Sequence, residues 1–150
     1  MKIRSLPIAL ATVAAILLVV TSFAQDDGST PFEFVGFWEG IDHVDGHEVA
    51  VSITPRDGGE LDIISRSGHF GRCATNDPLT NGKGILNAIG AVANGVLVAE
   101  RRILRCASGV EVDYSADFIP NSEHDLLTVH LRGARDNLVL HRISERPRGQ

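Results

Sequence analysis

Asp42, His43, Asp45, His47 and Glu48 form the densest group of titratable side chains in the sequence, gathered around one Asp45-Gly46 turn signal. On a strand–turn–strand, His43 and His47 can face each other with carboxylates beside them, which is the donor set of a weak divalent-metal site. The same residues suit an open hairpin tip of solvated polar groups, where three ligands rarely converge. No metal site is assigned on this pattern. His69, His124, His130 and His141 stand singly, although His130 and His141 fall on consecutive predicted strands and so form a candidate cross-strand pair. No serine sits in a nucleophile elbow, and no Ser/His/Asp spacing of a hydrolytic triad is present. Gly82, Gly84, Gly90 and Gly95 do not follow a phosphate-loop spacing and precede no helix. The expectation is a protein with no catalytic residues and no cofactor.

Arg101, Arg102 and Arg105 make a basic cluster around Ile103-Leu104. They could grip a carboxylate ligand or an acidic partner. The simpler reading pairs them with Glu111, Asp113 and Asp117 on the next strand, since opposite charges across a ladder are a common sheet contact. One Trp, one Tyr and six Phe are too few for a stacking platform that would hold single-stranded nucleic acid or a glycan.

The first residues read as an export signal. Lys2 and Arg4 are basic, Leu6 to Val20 is an apolar run, and Ser22-Phe23-Ala24 places small residues before a cleavage point at Gln25. The apolar run falls short of the roughly 20 residues a membrane-spanning helix needs. Cleavage after residue 24 leaves 126 of the 150 residues, the size of a single domain. Losing Lys2 and Arg4 takes the net charge from −5 to −7. That sign disfavours nucleic acid and anionic lipid as partners. The remaining two cysteines, Cys73 and Cys106, have a single intramolecular connectivity, and an oxidising compartment favours a disulfide between them. The expected location is exported, periplasmic or extracellular.

These groups must be positioned by strands. Residues 25–31 are polar and Gly/Pro-punctuated, a flexible tail. Beyond them the chain alternates at period two: Val49, Val51 and Ile53; Val110, Val112, Tyr114, Ala116 and Phe118; Leu127, Val129 and Leu131. Those last two sets are the expected barrel interior, with Glu111, Asp113, Ser115 and Asp117 in water. Asn94-Gly95 between two apolar runs is the strongest hairpin signal. Asp57-Gly58-Gly59, Ser108-Gly109, Pro120-Asn121 and Asp136-Asn137 mark other reversals. Eight or nine hairpin-linked strands over residues 32–146, followed by a tail at 147–150, predict an all-β, antiparallel up-and-down barrel. The longest loop expected is Asn76–Lys83.

Gly36-Phe37-Trp38 on the first predicted strand and Arg142 on the last resemble the pattern of the calycins, the superfamily of lipocalins and related small barrels. Asp113-Tyr114 is similar to part of that family's middle Thr-Asp-Tyr motif, with Val112 in place of the threonine. The resemblance implies that Gly36, Trp38 and Arg142 close one end of the barrel, the guanidinium stacked on the indole. It also implies a small apolar or amphiphilic ligand inside the barrel. Alternatives remain open: a protein-binding module such as an inhibitor of an exported enzyme, acting through its tail, or an envelope protein without a ligand. Ala88, Ala91, Ala93, Ala99 and Ala116 hint at interior space, whereas Phe34, Phe37, Phe70 and Phe118 could fill it.

Overall fold

The computed structural model describes residues 30–113, 116–131 and 136–146. The expected signal segment 1–24, residues 25–29 of the expected N-terminal tail, Tyr114, Ser115, residues 132–135 and the expected C-terminal tail 147–150 lie outside the described residues. Nine strands follow in order: β1 (Gly36–Ile41), β2 (Glu48–Pro55), β3 (Leu61–Ser67), β4 (Gly84–Ala93), β5 (Val96–Cys106), β6 (Glu111–Asp113), β7 (Ala116–Pro120), β8 (Leu126–Leu131) and β9 (Leu138–Ser144). Neighbours in sequence pair antiparallel except β6 and β7, which both pair with β5, and β1 also pairs with β9. The sheet therefore closes on itself as an up-and-down barrel. Short β6 and β7 lie successively along the long β5, with Arg105 opposite Glu111 and Leu97 opposite Phe118, so the two pieces share one of eight positions around the wall.

Local chemistry explains the hairpins. Asn94 and Gly95 take φ of 50° and 73°, the doubly left-handed turn whose twist matches that of the strands it joins. At the β1–β2 tip, Asp42 Oδ1 accepts the Val44 N–H at 2.8 Å, an Asx turn that starts the reversal. At the β7–β8 tip, Asn121 Oδ1 accepts the N–H groups of Asp125 and Leu126, each at 3.1 Å.

One face of each strand builds the core. Phe34, Trp38, Ile53, Leu61, Ile63, Leu97, Phe118, Leu127 and Leu140 are buried together in the main core. Ala88, Ala99 and Ala116 also face inward, while Ala93 is exposed because it falls on the opposite face of β4 from the buried Leu86, Ala88 and Gly90. A smaller cluster holds Phe70, Cys73, Leu86, Leu104 and Cys106.

Three expectations need correction. Val110 is 55% exposed rather than interior, because its carbonyl accepts the Cys106 N–H and places it in the turn before β6. The connection between β3 and β4 runs from residue 68 to 83 and not merely over Asn76–Lys83. The third concerns His130 and His141, which are not partners: Asp117 stands opposite His130, and Leu126 stands opposite His141.

Candidate functional site

One end of the barrel is shut. Gly36 has φ of +149°, and a Cβ there would lie 2.5 Å from the Ser144 carbonyl oxygen, so only glycine lets β1 and β9 meet this closely. The next inward residue, Trp38, is fully buried and donates its indole N–H to the Phe34 carbonyl at 2.9 Å. Across the β1–β9 ladder the Arg142 guanidinium carbon lies 4.4 Å from the Trp38 ring centroid. The same guanidinium donates to the carbonyls of Glu33 and Val35, which holds the single turn Pro31–Glu33 over the barrel end. Burial lowers the Arg142 pKa from its ordinary value, and the nearby Glu145 and Asp125 carboxylates oppose that shift.

The other end is hollow. A cavity of about 270 Å³ opens between the β1–β2 tip and the 68–83 loop. Its walls are Val51, Ser65, Leu86, Ala116, Phe118 and Val129, and Asp42, Asp45 and His69 stand at its mouth. Ladder register places Ser65 between Val51 on β2 and Leu86 on β4, all three on the inward face. Ser65 is 6% exposed, the sole buried polar residue among those described, and no hydrogen bond joins its hydroxyl to another described group. Ser67, two residues nearer the mouth, differs: its hydroxyl donates to the His69 carbonyl at 3.0 Å and accepts the His69 N–H at 3.1 Å. A second hollow of about 300 Å³ shares Asp42, Val44, Leu131 and Leu138 with the first and extends to Asp136 and Asn137.

The expected interior residues therefore divide. Ala116, Phe118, Leu127 and Val129 are buried in the main core, and Leu131 packs half-buried against it. Val112 packs instead against the smaller cluster under the loop, and Tyr114 lies outside the described residues. That cluster includes the disulfide Cys73–Cys106, which fastens the 68–83 loop to the end of β5. Phe70, on the same loop, contributes both to the cluster and to the cavity wall. Ser65 escaped the sequence reading. A search for apolar alternation passes over it, because a serine breaks the inward parity that Leu61 and Ile63 begin.

The titratable tip is organised without converging. His47 Nδ1 lies 3.2 Å from Asp45 Oδ1, and the His47 ring stacks on His69 with centroids 5.5 Å apart. Among the described residues no three His, Cys, Asp or Glu side chains gather as a metal site. In the basic cluster, Arg105 pairs with Glu111 at 3.0 Å, and Arg102 donates to the Ala99 carbonyl. The Arg101 side chain lies outside the described residues. Outside the barrel wall, Ile41 and Ile143, 45% and 46% exposed, border a broad groove of about 800 Å³.

Compared with protein-family models, curated proteins and solved structures, the chain matches none.

Proposed function

We propose that this chain is an exported, calycin-like barrel that carries one small apolar or amphiphilic molecule in its open-end cavity. The observation that carries this reading is the hollow itself. A closed barrel of this size is just wide enough to fill with side chains or to hold one small ligand, and here the buried Val51, Ala116, Phe118 and Val129 leave a hollow beside them. Binding pockets are concave, mostly apolar and supplied with a few polar groups, which is the make-up of the wall from Val51 to Phe118. Its volume lies just under the usual range for drug-sized ligands, so the occupant is compact. Trp38 beneath Arg142 supports the kinship with lipocalins. The basic and apolar N-terminal segment and the Cys73–Cys106 disulfide support export to an oxidising space.

Binding is tested with N-phenylnaphthylamine, an uncharged dye that brightens in apolar surroundings. Trp38 is a poor reporter because it belongs to the shut end and does not line the cavity. The mature protein should bind the dye with Kd below about 100 μM, and Ala116→Leu, which fills the cavity, should abolish binding while the fold survives. Dye binding unchanged by Ala116→Leu would contradict the reading. A second reading, docking of an exported protein, rests on the outer groove beside Ile41 and Ile143. It would be favoured if the dye failed to bind and Ile41→Asp abolished capture of a purified exported protein.

A further inference from the structure

Ser65 is 6% exposed and lines the cavity, and no described group hydrogen-bonds its hydroxyl. A polar group of this kind, placed in an apolar setting without a partner, carries a free-energy cost that a ligand atom can relieve. Its strand neighbours Val51 and Leu86 are purely apolar, and Ser67 has both its hydrogen-bonding directions occupied by His69. Deep in the cavity, then, among the described residues, one uncharged donor–acceptor stands within an otherwise apolar wall. At the mouth the charges are acidic. Asp42 and Asp45 line it, and no Lys or Arg does so among the described residues.

Resting on the cavity reading above, we infer that Ser65 is the polar anchor of the site and that the ligand is an uncharged, compact molecule with one hydrogen-bonding oxygen, such as an alcohol or ketone. A carboxylate taken into this hollow would lose its hydration, meet no cation among the described wall residues, and pass two carboxylates on entering. A hydroxyl or carbonyl oxygen loses far less and regains a hydrogen bond from Ser65. A hydrocarbon of equal length gains the same apolar burial without that bond.

Four probes of equal chain length separate these contributions: octane, octanol, octanone and octanoate, each displacing N-phenylnaphthylamine from the mature protein at neutral pH. Octanol and octanone should bind about fivefold to tenfold tighter than octane, the worth of one hydrogen bond, and octanoate should bind more weakly than octanol. Ser65→Ala should erase the advantage of octanol over octane and leave octane unchanged. Replacing both Asp42→Asn and Asp45→Asn should strengthen octanoate without strengthening octane. Circular dichroism establishes that each variant is folded, and Ser65→Thr, which keeps a hydroxyl, should retain the octanol preference if the alanine variant is unstable. Equal ratios in wild type and Ser65→Ala, or octanoate binding best, would overturn the inference while leaving the cavity reading intact. Failure of all four probes and of the dye would overturn the cavity reading itself.

Discussion

Arg142 is held by three groups at once: the Trp38 ring beneath it and the carbonyls of Glu33 and Val35 ahead of it. The planar guanidinium suits that combination, because it can stack and donate in one plane. Arg142→Ala should lower stability by about 1–2 kcal/mol, from the lost stacking and the lost packing of its stem. Arg142→Lys should recover only part of this, since an ammonium has no planar face to stack on the indole while it donates to the carbonyls. Equilibrium denaturation of the three proteins measures both effects, and an alanine variant as stable as wild type would mean the contact is idle. Ser65 makes the opposite case. Removing its hydroxyl takes away a buried polar group without breaking a bond, so Ser65→Ala should leave ligand-free stability unchanged or raise it by up to about 1 kcal/mol. A marked loss of stability would show that Ser65 already has a partner. These two residues were unequally legible. Trp and Arg announce themselves by type, whereas a serine means something only once its face of the strand is known.

Among the elements, the 68–83 loop does most to shape the open end. It brings Phe70 and Gly71 to the cavity wall, and one disulfide fastens it to β5. Replacing both Cys73→Ser and Cys106→Ser should cost about 3–4 kcal/mol on the chain-entropy estimate for a loop of this length. Hydrogen exchange should show the loss first in residues 68–83, with β1, β2 and β9 retaining protection. Uniform loss across all strands would instead mean that the disulfide supports the whole barrel. The β4–β5 hairpin was readable because Asn94-Gly95 admits few backbone solutions. The start of β6 was not. Val110 continues the apolar alternation perfectly well, yet Gly109, with φ of 87°, and the Cys106–Val110 hydrogen bond already commit it to a turn. Alternation reports which face a residue would take in a strand and is blind to where the ladder ends. Long-range closure of β1 on β9 was expected from hairpin counting alone, and the register that separates His130 from His141 was beyond it.

At the scale of the whole molecule, the barrel is asymmetric. Trp38 and Phe34 pack the shut end, while at the other end a hollow lined in part by the small Ala116 and Ser65 lies beneath a disulfide-fastened loop. Nothing in composition or periodicity encodes that division. It follows from which layer of the barrel each inward residue occupies, and strand register sets the layer. The claim that this hollow is the binding site is tested most directly by following backbone amide resonances of the mature protein during titration with octanol. The account predicts saturable shifts at Val51, Ser65, Leu86, Phe118 and Val129, with Glu39, Ile41 and Ile143 on the outer groove unmoved. Shifts confined to the outer groove, or none at saturating octanol, would contradict it.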